Sequence, residues 1–253
     1  MTNIGGTGFT GVLAAAIFLA AGCSATVENE PGKGSPGGET GCADDLPSAA
    51  VLMSTPRNDT NIELLALKFS DQEVADQSVY DRLVRDIAAI REQNASVATI
   101  TYFSPNDGKS LLLTVDSGTA SAIDNGSYHE WDCLNDAYGA TSFNVLRSGE
   151  TAFAEVILKG IYRLDTVAKN YARLKGIKSA VPASGGGDGP TICLTRANDV
   201  WHYIFDDASG DCFVGCTKHI YTRFTTTESG LVTNLGEPSP DEVLKYVTKE
   251  ACG

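Results

Sequence analysis

The sequence is short of positive charge, of histidine and of long apolar runs, and each shortage excludes something. Lys and Arg number 19 against 32 Asp and Glu, a net charge of −13. An acidic surface argues against nucleic acid or an anionic membrane as the main ligand, and solubility accounts for it directly. There are three histidines, His129, His202 and His219. None belongs to an H-E-x-x-H helix, and neither a G-x-S-x-G elbow nor a G-x-x-x-x-G-K-[ST] phosphate loop occurs. The apolar run Val12 to Ala21 has ten residues, well below the about 20 needed to span a bilayer. The first cationic side chain is Lys33, and the first 23 residues carry no charged side chain at all.

What is present begins with that run. It leads into Leu19-Ala20-Ala21-Gly22-Cys23, a layout that resembles the signal peptide and lipobox of a bacterial lipoprotein. The resemblance implies that residues 1–22 are a signal peptide and that Cys23 becomes the lipidated first residue. Ser24 after it implies the outer membrane. Acyl chains on one cysteine anchor a protein at about 0.8 kcal/mol per buried methylene. Residues 23–48, centred on Pro31 to Gly38, have the Gly/Pro composition of a flexible tether. Residues 49–253 are long enough for a single domain, with 49–148 and 149–253 as possible halves.

Six further cysteines follow Cys23: Cys42, Cys133, Cys193, Cys212, Cys216 and Cys252. An even number in an exported protein reads as disulfides, with 15 possible connectivities. Cys212 and Cys216 are close enough to pair across a turn. Cys42 and Cys252 could staple the two ends. Cys133, inside a helical pattern, could be a buried free thiol.

Ile62 to Phe69 reads as a strand. Ser78 with Asp81 reads as a capping box opening a helix, with Tyr80, Leu83, Val84, Ile87 and Ile90 at helical spacing. Val97 to Phe103 is β-branched and reads as a strand, followed by turn residues Ser104 to Gly108 and a hairpin partner at Leu111 to Val115. Tyr128 to Gly139 reads as a helix with Trp131, Leu134 and Tyr138 as core anchors. Phe153 to Leu158, Leu164 to Leu174 and Ile177 to Val181 read as strand, helix and strand. Residues 62–103 and 151–182 would then form a weak strand-helix-strand repeat, both first strands ending in Leu-Lys. From Thr191 onward the pattern turns to consecutive antiparallel strands at 191–196, 200–206, 217–225 and 231–235. A short helix closes the chain, capped by Ser239 or Asp241, with Val243, Leu244 and Val247 inward.

The most distinctive stretch is Trp201-His202-Tyr203-Ile204-Phe205-Asp206 with Gly210-Asp211-Cys212-Phe213-Val214-Gly215-Cys216, preceded by Asp188 to Cys193. It resembles a group of uncharacterised bacterial secreted lipoproteins that share an aromatic strand, a Gly-Asp-Cys-x-x-Gly-Cys turn and a second aromatic strand. The likeness spans residues 150–225. It implies export and a cysteine-stapled hairpin, and it carries no activity. Gly210 and Gly215 would permit positive φ at the corner, and Tyr203, Phe205, Tyr221 and Phe224 suit cross-strand pairing.

Other chemistries compete for these residues. Cys212, Cys216 and His219 stand at C-x3-C-x2-H and, with His202, could ligate zinc. Asp206, Asp207 and Asp211 could hold calcium, although the alternation of an EF-hand loop is missing. His129 and Cys133 at i, i+4 could make a thiolate dyad. Leu174 to Pro182 is similar to the helix-Gly-strand segment of subtilisin propeptides, which implies a protease-inhibitor module.

These readings converge on an α+β fold: a mixed or antiparallel sheet with helices packed on one face and disulfide-stapled C-terminal hairpins. The functional expectation is a lipid-anchored envelope protein, periplasmic or surface-exposed, with a non-catalytic binding or structural role. No cofactor is expected. Its partners would be the membrane, through the Cys23 lipid, and an envelope protein or extracellular ligand. A protease-inhibitor module and a metal-dependent enzyme using Cys212, Cys216 and His219 are the alternatives.

Overall fold

A computed structural model describes residues 57–70, 72–148, 151–197, 199–247 and 252. Within them the fold is α+β, with six α-helices and two four-stranded antiparallel sheets. One sheet was expected; the chain builds two, each with its own core.

The N-terminal part is helical. Helix α1 (Thr60–Lys68) occupies the segment expected to be a strand. A short apolar run cannot be told from a buried helix by periodicity alone. Here Asp59 decides it, its side chain accepting from the Asn61 and Ile62 amides at the helix start. Helix α2 (Gln77–Gln93) is capped by Asp76, which accepts from Ser78 N and Val79 N. The cap is therefore two residues earlier than the Ser78–Asp81 box, and Asp81 accepts from Gln77 Nε2 instead. Tyr80, Leu83, Ile87 and Ile90 are buried as expected, whereas Val84 is exposed. Val97 to Phe103 makes a 3-10 turn (Ala95–Val97) and an irregular segment, with no strand. The proposed strand-helix-strand repeat therefore fails in its first half.

The first sheet has the order β2-β3-β1-β4. It comprises β1 (Asn106–Val115), β2 (Ala140–Ser148), β3 (Thr151–Leu158) and β4 (Ile177–Ser184). The partners of β1 are β3 and β4. One face, carrying Leu111, Leu113, Val115, Ala154 and Val156, packs on helices α3 (Ser117–Asp124), α4 (Asp132–Tyr138) and α5 (Leu164–Tyr171). Trp131, Leu134 and Tyr138 are core anchors there. Strand β4 continues through Pro182, which an edge strand tolerates because its missing N–H costs no ladder bond on the open side.

The second sheet is the meander read from the sequence: β5 (Thr191–Ala197), β6 (Val200–Ser209), β7 (Lys218–Thr226) and β8 (Val232–Gly236). Strand alternation gives it two environments. Ile192, Leu194, Trp201, Tyr203, Phe205 and Phe224 pack on α1 and α2. The opposite face carries Cys193, Ile204 and Tyr221, against which Tyr246, Val247 and Cys252 pack. Helix α6 (Pro240–Tyr246) has Ser239 and Glu242 as a reciprocal capping box, while Leu244 is 78 % exposed and does not face inward.

Candidate functional site

The β6–β7 corner is built by three local features. Gly210 (φ +96°) and Gly215 (φ +124°) turn the chain where a side chain would be strained. A disulfide joins Cys212 to Cys216. Asp188 N donates to Cys212 O at 2.8 Å, tying the loop before β5 to the staple. Phe213 and Val214 stand exposed at the tip.

Beneath this corner, on the α6 side of the sheet, lie Asp206 and His219. Asp206 pairs across the strands with Tyr221, and His219 with Ala208. His219 Nδ1 is 2.8 Å from Asp206 Oδ2, and its Nε2 is 3.1 Å from Cys216 O. Both ring nitrogens therefore face acceptors, the arrangement of an imidazolium donating twice. The Asp206 hydrogen bond is the main cause holding the His219 pKa above its ordinary value. Burial pushes the Asp206 carboxyl up, against the opposing pull of His219. The pair thus holds a proton more tightly than its separated members would. Asp206 is 5 % exposed, and its Oδ1 has no hydrogen-bond partner. A pocket of about 370 Å³ opens here, lined by Asp188, Asp206, His219, Tyr221, Phe103 and the Cys193 and Cys252 positions.

A larger cleft of about 730 Å³ shares Phe103 and Pro105 with it. Its lining is rich in hydroxyls and amides, including Thr60, Asn61, Thr101, Ser104 and Ser184, and contains no Lys or Arg. Asp107 and Glu155 are its two charged residues, so the composition suits a polar ligand without negative charge, held by hydroxyls and amides beside an aromatic ring.

The proposed site residues divide clearly. Cys23 and Cys42 lie outside the described residues. All five described cysteines, Cys133, Cys193, Cys212, Cys216 and Cys252, are disulfide-bonded. Cys252 pairs with Cys193 rather than with Cys42. Cys133 is no free thiol, which removes the dyad; His129 instead meets Asp132 at 2.8 Å on the surface. The disulfide also consumes both thiolates of the zinc reading. His202 is stacked on Tyr246, and its cross-strand partner is Thr225, six positions along β7 from His219, about 20 Å by strand rise. The calcium trio is split by strand alternation: Asp206 is buried and Asp207 exposed. Among the described residues no group of three His, Cys, Asp or Glu is placed to hold a metal. Of the aromatic partners, Tyr203 pairs with Phe224, and Phe205 meets Phe224 edge-on at 5.6 Å. Tyr221 faces the other side and stacks on His219 at 5.8 Å. The Leu174–Pro182 segment is the turn that follows α5 and most of the edge strand β4.

The sequence reading gives Asp188 and Phe103 no role at this site. Asp188 enters it only as the start of the stretch before β5 and Phe103 only as the end of an expected strand, and only the folding of two loops against one sheet face brings them to Asp206. Compared with protein-family models, curated proteins and solved structures, the chain has no match.

Proposed function

We propose that this chain is an exported bacterial envelope protein, anchored by lipid on Cys23, whose domain binds a ligand without catalysis. The supporting observation is the oxidised state of all five described cysteines, which fits an oxidising compartment outside the cytosol. The lipobox-like Leu19 to Cys23 supplies the anchor, and the Gly/Pro-rich residues after it supply reach. The hydroxyl-lined cleft is the ligand surface in this reading. A binding role is favoured over catalysis by the placement of His219, whose two nitrogens are committed to Asp206 and Cys216 O. A histidine so tied has no free nitrogen with which to act as a base.

Membrane fractionation of wild type and Cys23→Ser tests the proposal. Wild type should sediment with membranes and carry acyl mass on a peptide beginning at Cys23. The Cys23→Ser variant should appear in the soluble fraction. A variant that is still processed and membrane-bound refutes the anchor.

A further inference from the structure

We propose that the pocket under the stapled β6–β7 corner binds a primary ammonium on an apolar stem, with Asp206 and Asp188 as its anionic partners. The proposal goes beyond envelope anchorage and does not rest on it.

The first support is Asp206 itself. It is 5 % exposed, it lines the pocket, and its Oδ1 has no hydrogen-bond partner. An unsatisfied buried acceptor is uncommon and destabilising, and a ligand donor would relieve it. The second is Asp188, a carboxylate on the pocket wall whose charge acts on both Asp206 and His219. The third is the remaining wall. Phe103 and Tyr221 supply aromatic rings and Val247 an apolar side chain, which suit an alkylammonium through cation–π attraction and contact with its stem. The frame is fixed by the Cys193–Cys252 disulfide and by the bond from Asp188 N to Cys212 O.

Ligand chemistry follows from what each class demands. An ammonium carries three donors and no acceptor, so single oxygens satisfy it. A guanidinium is recognised best by two oxygens of one carboxylate. Asp206 offers only Oδ1, because Oδ2 holds His219. A divalent cation needs six or so oxygens, and no three-residue cluster exists among the described residues.

His219 gives the site a built-in competitor. Protonated, it neutralises Asp206. The charged groups acting on the pair are Asp188 and Asp207 around Asp206, and Asp188 beside His219. An incoming ammonium is repelled by the imidazolium, so proton and ligand exclude each other. Affinity must rise with pH, and bound ligand must lower the pH at which His219 titrates.

The experiment uses the full, disulfide-intact chain in detergent, titrated with butylammonium and with 1-butanol as an uncharged stem of similar shape. Binding is followed by calorimetry and by the His219 ring signals. Butylammonium should saturate the site and bind about tenfold tighter at about pH 9 than at about pH 5, with butanol inert. The His219 titration should move to lower pH when the site is filled. Asp188→Asn should weaken binding about tenfold, the size of one charge pair near a surface. Asp206→Asn should abolish it. Because Asp206→Asn could also unfold the chain, the exposed Asp188 provides the independent variant. Phe213→Ala, at the exposed tip outside the pocket, should leave binding unchanged. Equal response to butanol, an affinity independent of pH, an unmoved His219 titration, or full binding by Asp188→Asn overturns the proposal.

Discussion

Removing the Asp86 carboxylate should cost more stability than removing any other single acidic side chain in the described structure. Asp86 is 1 % exposed on α2 and reaches the inner face of the second sheet. Its Oδ2 accepts from Arg82 Nε at 3.0 Å, from Tyr203 OH at 3.0 Å and from Thr226 Oγ1; its Oδ1 accepts from Arg85 Nε at 3.0 Å and Nη2 at 2.9 Å. Burial alone would raise its pKa, but the donors from Thr226, Arg85, Arg82 and Tyr203 outweigh burial and hold it below the ordinary value. Asp86→Ala leaves the hydroxyls of Tyr203 and Thr226, both 0 % exposed residues, without this acceptor, and leaves Arg82 with Thr227 O as its remaining hydrogen-bond acceptor beside the Trp201 ring. Breaking a buried charged network from one side costs about 3–5 kcal/mol. A loss of about 4 kcal/mol is a large part of a typical domain's about 5–15 kcal/mol. With a urea slope of about 2 kcal/mol/M it moves the midpoint by about 2 M. The loss should be insensitive to salt, since the carboxylate is shielded from solvent. A folded pKa below the unfolded value stabilises the fold above about pH 4, and that contribution disappears as pH falls through the folded value. Wild type should therefore lose stability on acidification more steeply than Asp86→Ala. Tyr203→Phe should be costly in wild type and nearly silent beside Asp86→Ala. An Asp86→Ala loss below about 1 kcal/mol, or a Tyr203→Phe cost equal in both backgrounds, refutes the network account.

Two other perturbations separate chain constraint from local strain. Cys193–Cys252 spans 59 positions and Cys212–Cys216 spans 4, so loop closure gives about 4 and about 2 kcal/mol respectively. Urea midpoints of the two double Cys→Ala variants should follow that order, and the reverse order contradicts it. At Gly176 (φ +86°) an added Cβ would lie 1.9 Å from Thr119 Oγ1. Gly176→Ala should lower stability by more than about 1 kcal/mol, and Thr119→Ala should recover part of the loss; equal stability of Gly176→Ala and wild type would contradict the geometry.

The second half of the fold was legible because its strands alternate. In β5 to β7 the inner residues Ile192, Leu194, Tyr203, Phe205 and Phe224 fall at every second position, and Ser239 with Glu242 marks the last helix. The first half misled because α1 is buried broadly. Ile62, Leu64, Leu65, Ala66 and Leu67 are all inside, which hides the helical period, and only the Asp59 cap separates helix from strand. At 97–103 β-branched residues fill a core without any strand partner to pair with. The site was half legible for a related reason. Gly210, Cys212, Gly215 and Cys216 announce a stapled corner in the sequence, and it forms. Asp188 and Phe103 come from loops whose positions depend on both sheets. The Cys193–Cys252 disulfide was one of many allowed pairings, chosen by α6 folding back over the outer face.

Asp86 and Asp206 are both buried against the second sheet, one on each face, and their surroundings differ in a way that composition cannot reveal. Asp86 is saturated by five donor contacts, and its carboxyl is held low. Such a residue fixes α2 to the sheet and offers nothing to a ligand. Asp206 has His219 on one oxygen and no partner on the other, and its carboxyl is pushed up. A fold selected for stability alone would fill that second oxygen or replace the acid, since half-satisfied networks are worse than apolar packing. The chain instead surrounds it with two disulfides, Cys193–Cys252 and Cys212–Cys216, which hold the corner by covalent constraint and need nothing from Asp206. The stapling therefore makes an unsatisfied carboxylate tolerable at that point, and this is why the acidic pocket, rather than the better satisfied Asp86 network, is where a ligand should be sought.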